Sequence, residues 1–433
     1  MLAITHIKLN HPNPYRINDE SVWEAYENKL LSREGPISIG EQYFDLAYLF
    51  SLAVDTHTQI YPDVDTPGFY QVYPLRFRSF SDGLYVFAAN EDYEEYVGKK
   101  VLEIGSMPVD VLMEKLSHYV SADHAGRKKT LAEFLLVIPE MYSYLGLMDS
   151  TGVSLVLEGQ GGRRVIGRLQ KVENKSFGHI FYKEPDSFGI LVPEGWKTVF
   201  DIFSITPPLS RQHLRKKYWH TSITDSNGKR LEYIQINKNE DEPEGETQFD
   251  FILRTFQAIR KEDVRPDRII LDLRYNLGGW IKNTAALPGL LYGADYYQAG
   301  KTIVLIGRET VSAGAILAAS IEMKNFVCFL GEPSGSKPNM FLDHKPVELP
   351  YSRFYAESAT DTYTATVAAD NREFIAPDFF IEESFEDFIS GEDKVLQKAI
   401  GITEKDIIKI HAGLFRGELW KRPSQMISLP SGE

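Results

Sequence analysis

The chain has 433 residues, 43% of them hydrophobic and 25% charged, a balance ordinary for a packed globular protein and too apolar for disorder. At roughly 150 residues per domain, that length predicts about three units. Its 47 basic and 61 acidic side chains leave a net charge of −14, which repels a phosphate backbone and argues against nucleic acid as a partner. The one dense basic run, Arg211 to Lys217, is short, sits beside Tyr218 and Trp219, and reads as a solvated face.

A single cysteine, Cys328, lies in an apolar run and reads as a buried strand residue, and no intramolecular disulfide can form. The N-terminus lacks the basic start and apolar stretch of a secretory signal, and no run approaches the ~18 apolar residues of a membrane span. A cytoplasmic protein is the expectation.

The first stretch reads as helical. Asn18 to Ser21 offers a capping start for a helix to Leu31, and Tyr43, Leu46, Ala47, Phe50 and Val54 recur at helical spacing over 39–54. That helix ends at Asp55-Thr56-His57-Thr58. Prolines and aspartates between 61 and 74 mark a linker or crossing loop. From 74 to 169 the pattern changes to short strands with one or two helices: strands at 83–87 and 97–104, a helix over 109–119, and a hairpin of 153–157 and 164–169 around Gly159 to Gly162. The boundary of the following region, 170–215, is not fixed by the pattern.

From about 216 the chain alternates strand and helix. Strands are expected at 231–236, 269–273, 302–306 and 326–330, with helices over 249–261, 284–292 and 312–323. The rhythm implies right-handed crossovers and a largely parallel sheet, whose loops leave the carboxyl ends of the strands where sites form.

Two of those loops carry chemistry. Gly278-Gly279 follows one strand, and a glycine pair frees backbone N–H groups to face a developing negative charge. Thr310-Val311-Ser312-Ala313-Gly314 follows the next, with a serine between small residues at the start of a helix. Lys337 comes 25 residues later in Gly335-Ser336-Lys337-Pro338-Asn339. A lysine accepts a serine proton only where burial disfavours its charged form. The order reads as oxyanion loop, nucleophile and base, set against the plainer readings of a turn, a helix cap and a solvated cation. There is no HExxH and no metal spacing among the histidines.

Ile269 to Arg274, Gly278-Gly279, Ser312-Ala313, Gly331-Glu332-Pro333-Ser334-Gly335, Pro377-Asp378 and Ser384 to Phe388, following Tyr218-Trp219, together resemble the C-terminal processing, or tail-specific, serine peptidases. That family is related to the core of tricorn protease and to the modules of interphotoreceptor retinoid-binding protein. In weaker form, Asp82 to Val86 and Val97 to Val101 resemble strands of the family's PDZ-like module, and Asp55-Thr56-His57-Thr58 resembles the Asp-x-His segment that ends its helical unit. The resemblance implies an α/β fold with an N-terminal helical unit (1–62), a small PDZ-like α+β module (74–170), a crotonase-like αβ core (216–400) and a C-terminal tail (401–433).

Carried over by position, Ser312 falls on the nucleophile, and the N–H of Ala313 with that of Gly278 or Gly279 falls on the oxyanion hole. Lys337 falls on the base of the family's serine–lysine dyad, while His57 matches the histidine that the tricorn-like branch uses instead. An unperturbed histidine is largely neutral at pH 7 and a lysine is not, which keeps both in play. Two positions depart from the pattern: Phe341 stands where a glutamine commonly positions the lysine, and Ala315 where a glutamate commonly follows the nucleophile. Asn339 is a substitute orienting group for Lys337. Asp272 and Arg274 read as braces for the loop, and Pro377-Asp378 as a structural corner. The resemblance implies a serine endopeptidase acting on peptides or unfolded protein without a cofactor. A catalytically silent protein that binds peptides or small ligands on the same scaffold is the alternative. Oligomeric state is not legible.

Overall fold

The computed structural model describes residues 2–62, 71–170, 172–173, 192–411 and 427–428. Most of the expected crossing loop between 61 and 74, and of the expected tail beyond 401, lies outside them. The chain is a mixed α/β protein that divides into two compact units. One comprises residues 1–206, 341–363 and 384–389, the other residues 207–340, 364–383 and 390–433.

The first unit opens with helices Leu2–Asn10, Glu20–Leu31 and Ile39–Ser51. The third starts in a capping box: Ser38 accepts the Glu41 N–H while the Glu41 carboxylate reaches back to the Ser38 N–H, satisfying two otherwise orphaned donors. Beyond it, strand Gln59–Tyr61 pairs antiparallel with Tyr355–Thr364, which neighbours Asn339–Glu348 in a three-stranded sheet. A second sheet runs in the order Lys197–Thr198, Gly83–Ala89, Lys100–Ile104, Val153–Glu158, Arg164–Leu169, with Leu75–Phe80 paired to Gly83–Ala89. The expected hairpin forms in register from Val153↔Leu169 to Glu158↔Arg164.

The strand expected from residue 97 begins at Lys100, because the 3₁₀ helix Glu91–Tyr96 ends at Val97 and Gly98 sits at φ 81°. Three helices follow rather than one or two: Val109–Ser117, Ala125–Leu135 and Pro139–Tyr144. Ala125–Leu135 buries Arg127, Thr130 and Glu133 along with its apolar residues, so the apolar stripe that betrays a helix in sequence is broken.

In the second unit the sheet order is Tyr218–Thr224, Arg230–Ile236, Arg268–Asp272, Thr302–Ile306, Val327–Gly331, Phe379–Phe380, Ile427–Ser428. The first pair is antiparallel and the rest are parallel. Arg268–Asp272, Thr302–Ile306 and Val327–Gly331 are buried at every position, as expected for parallel strands covered on both faces. Alternation divides them between two cores. Ile269, Leu271, Val304, Ile306 and Phe329 pack with Phe251, Phe256, Leu287 and Leu317 from helices Gln248–Lys261, Ala286–Gly293 and Ala313–Lys324. Ile270, Ile303, Leu305, Cys328 and Leu330 pack with Val395, Leu396 and Ala399 of helix Lys394–Gly401. Cys328 is thus the buried strand residue its surroundings implied.

The basic run does not form a solvated face throughout. The Arg211 guanidinium is buried on the Glu383 carboxylate at 2.6 and 2.8 Å, and Lys217 is held by Glu240 and the Asp241 carbonyl. Among the described residues no helix is long and apolar enough to cross a membrane.

Candidate active site

Three neighbouring parallel strands of the second unit release their loops at the same edge, and those loops carry Gly278-Gly279, Ser312-Ala313 and Ser336-Lys337. The loops are stitched to one another by backbone. Val311 N–H donates to the Asn276 carbonyl at 3.0 Å and Gly335 N–H to the Thr310 carbonyl at 2.9 Å. Thr310 Oγ1 donates to the Leu273 carbonyl at 2.7 Å and accepts from Gly307 N–H at 3.0 Å, so one buried hydroxyl closes its own turn and ties it to the next loop. Gly314 lacks a side chain because a Cβ there would stand 2.6 Å from the Asn276 carbonyl oxygen.

Ser312 does not cap the helix that follows it. Its backbone lies at φ 52°, ψ −127°, and its side chain makes no capping bond. A non-glycine residue at this φ is strained by of order 1–3 kcal/mol, and such strain collects where a side chain must be presented. The Ser312 N–H donates to Ser336 Oγ at 3.2 Å, holding the turn against the third loop.

Gly278 packs directly on this turn. At φ 101°, a Cβ on it would meet Ser312 Cβ at 2.7 Å, Ser312 Oγ at 3.1 Å and Ala313 N at 3.2 Å. The missing side chain leaves that space open beside the serine hydroxyl and the first N–H of the helix. The Gly278 N–H is engaged: it donates to Asn276 Oδ1 at 3.0 Å. Asn276 Oδ1 is met in turn by Asn239 Nδ2 at 3.4 Å, and Asn239 Oδ1 by Gln248 Nε2 at 3.2 Å. A chain of buried carboxamides therefore runs from helix Gln248–Lys261 to the glycine loop. Asn239 N–H also donates to the Gly278 carbonyl and Trp280 N–H to the Asn239 carbonyl, each at 2.7 Å. No acceptor among the described residues meets the N–H of Gly279 or of Ala313.

Lys337 follows Ser336 in the same loop and is only 8% exposed. Asn339 does not serve as its orienting group, which corrects the expectation from sequence. The Asn339 amide donates to the Val367 and Asp370 carbonyls, and its oxygen accepts from Thr366 N–H and Oγ1.

Beneath the glycine loop, Arg274 bridges two buried carboxylates, reaching Asp272 at 2.6 Å and Asp393 at 2.7 Å. Tyr233 OH and Ser210 Oγ complete the ring on Asp272 and Asp393. Burial works to raise the Asp393 pKa, but Arg274, with Arg211 and Ser210 behind it, outweighs this and holds it well below the usual carboxylate range. Asp272 and Arg274 brace the loop, as read from sequence. Asp378 makes the expected corner, its carboxylate accepting from Phe329 N–H and its own N–H reaching the Phe329 carbonyl.

His57 belongs to the first unit. Its backbone N–H donates to Asp55 Oδ1 at 2.7 Å, while Asp55 Oδ2 holds the buried His11 Nε2 at 2.9 Å. Burial pulls the His57 imidazole below its usual value of 6.5 and nearby His344 adds to this, while Asp55, the Phe341 carbonyl and Glu357 oppose it. A neutral imidazole results. Sequence reasoning missed His11 and Ser336, whose partners lie 44 and 24 residues away with no local pattern to announce them. It also missed Asn276 and Asp393, of which Asn276 was within sight beside the glycine pair. Among the described residues no cluster of His, Cys, Asp or Glu is arranged to hold a metal ion.

No family model matches the sequence, and no curated protein matches it. Solved structures do. A CPAF mutant superposes with a TM-score of 0.63 at 13% identity, over 96% of this chain and 97% of that one. Mature CPAF complexed with lactacystin gives 0.61 at 13% identity, over 92% and 98%. The photosystem II D1 C-terminal processing protease also aligns at 13% identity, over 92% and 97%, with a TM-score of 0.40. At such identity the likeness is one of fold: this chain shares the fold of CPAF over nearly its whole length, and its resemblance to the C-terminal processing peptidases is borne out at that level.

Proposed function

We propose that this protein is a serine endopeptidase of the C-terminal processing type, with Ser312 as nucleophile. The observation that carries the reading is the strained Ser312 turn, placed beside a glycine whose missing side chain opens the space at the hydroxyl and at the Ala313 N–H. Ser312 Oγ attacks the peptide carbonyl carbon and its proton passes to a base, Lys337 or His57. The N–H groups of Ala313 and Gly279 receive the oxyanion; Gly278 N–H, already given to Asn276, is the weaker claimant of the pair. Collapse of the tetrahedral adduct expels the amine, which takes the proton from the base. Water then hydrolyses the acyl-enzyme by the same route in reverse.

In this reading the second unit is a crotonase-like core, and the sheet within 74–170 a PDZ-like module that takes an extended peptide as an added strand. The substrate is a peptide or unfolded protein, and no cofactor takes part.

A serine-directed fluorophosphonate probe tests it. Covalent labelling at Ser312 that disappears in Ser312→Ala is expected. Absence of labelling from mildly acidic to alkaline pH would overturn the enzyme reading. Lactacystin, with which mature CPAF is complexed, supplies a second ligand whose binding should depend on Ser312. The silent binding protein gains weight from Ala315 and Phe341, which stand where the family commonly has a glutamate after the nucleophile and a glutamine after the lysine. Lactacystin binding that is indifferent to Ser312→Ala, together with absent labelling, would favour it.

A further inference from the structure

The first unit contains a cavity of about 420 Å³, within the ~300–1,000 Å³ of small-ligand pockets. Tyr43, Phe50, Tyr61, Tyr119 and Phe134 supply aromatic walls, and aliphatic side chains fill between them. Among the described residues neither lysine nor arginine lines it, and Glu357 is the only acidic one that does.

The Glu357 side chain is 10% exposed. It stands opposite Gln59 in the antiparallel pairing of Gln59–Tyr61 with Tyr355–Thr364. Its oxygens take neutral donors: Tyr61 OH at 2.8 Å on one, Gln59 Nε2 at 3.2 Å on the other. His344 Nε2 lies 3.8 Å away, with its side chain 54% exposed. No permanently charged cation among the described lining residues offsets this carboxylate, which sits among aromatic walls. Burying a charge is costly unless it is paired, and aromatic faces attract cations. Both features select the same guest, a cation on an apolar stem.

We propose that this cavity binds the side chain of a lysine or arginine in the peptide substrate, its cationic head on Glu357 and its stem against the aromatic walls. The guest's identity as a substrate side chain rests on the peptidase reading. The pocket's preference for a cation does not.

The test uses the full chain carrying Ser312→Ala, so that nothing is turned over, with 4-aminobenzamidine as cation and 4-aminobenzamide as its neutral counterpart. The amidine should bind about tenfold more tightly or better, a difference of about 1.4 kcal/mol. Glu357→Gln should bring the two within twofold, and Ala47→Trp, which fills the cavity from the helix Ile39–Ser51, should weaken both. Thermal melts within a few degrees of the parent establish that the variants fold. Equal affinities in the parent, or an amidine preference that survives Glu357→Gln, would overturn the site. In the Ser312 protein, peptides containing Lys or Arg should be cleaved faster than their norleucine counterparts. Amidine selectivity with no cleavage of any peptide leaves the pocket standing and counts against the peptidase. Cleavage indifferent to basic residues overturns the assignment of the guest.

Discussion

Gly278 lies so close to Ser312 that a Cβ on it would stand 2.7 Å from the serine Cβ and 3.1 Å from its Oγ. Real Cβ atoms do not approach so closely, and φ 101° is itself unfavourable to an L-residue by ~1–2 kcal/mol. Gly278→Ala is therefore expected to displace the serine turn or block the space in front of Ala313 N–H. Fluorophosphonate labelling should slow by about a hundredfold or more, the scale of losing an oxyanion donor, with a melting temperature lowered by a few degrees. Labelling at the parental rate would show that the open space has no catalytic use.

The Asn276 carboxamide holds the Gly278 N–H and is itself held by Asn239. Asn276→Ala removes the acceptor from a buried N–H, at a cost of ~1–3 kcal/mol, and frees the glycine loop to turn. Turnover is expected to fall mainly in kcat with KM little changed, because the loop's aim is altered and no substrate contact is removed. A change confined to stability, with kcat intact, would reduce Asn276 to a structural brace.

What the sequence made legible was periodicity. Buried parallel strands such as Thr302–Ile306 announce themselves as short apolar runs, and helix Gln248–Lys261 begins behind Thr247, which accepts the Asp250 N–H. Glycine and serine at the ends of such strands pointed to one sheet edge, because loops leaving adjacent parallel strands must emerge together. Helix Ala125–Leu135 stayed hidden because its buried face carries Arg127, Thr130 and Glu133. The partners of the site stayed hidden for a related reason. Asp393 reaches Arg274 across 119 residues, and Thr366 and Asp370 take Asn339 from the lysine beside it. Such competition for hydrogen bonds is set by tertiary packing, and no local spacing encodes it.

Arg274 neutralises two carboxylates at once, so its loss is costly. Arg274→Met leaves Asp272 and Asp393 buried without their cation and is expected to destabilise the protein by about 3–5 kcal/mol at neutral pH, read from urea unfolding. The acid dependence has a definite sign. The folded Asp393 pKa lies below its unfolded value near 3.8. Its contribution is therefore present in full above that value and is lost as pH falls through and below it. Asp393→Asn should remove this part of the acid sensitivity. An unchanged slope of stability against pH below 4 would show that the charge on Asp393 is not what the network uses.

His57 gives the base assignment a separate handle. Burial lowers its pKa, so between its folded value and 6.5 the unfolded chain binds more protons than the native one. Stability linked to His57 is therefore complete above pH 6.5 and declines as pH falls through that window; His57→Gln should remove the decline. If His57 takes the proton of Ser312, kcat/KM in the parent holds its plateau down to pH 6.5 and falls only below it, and His57→Gln abolishes turnover at every pH. Lys337→Ala should then keep most of the rate and the same acid limb. The reverse pattern, turnover surviving His57→Gln and lost in Lys337→Ala, would move the base to the lysine and leave His57 with only its part in the stability profile. Two variants with parental rates would remove both from the chemistry.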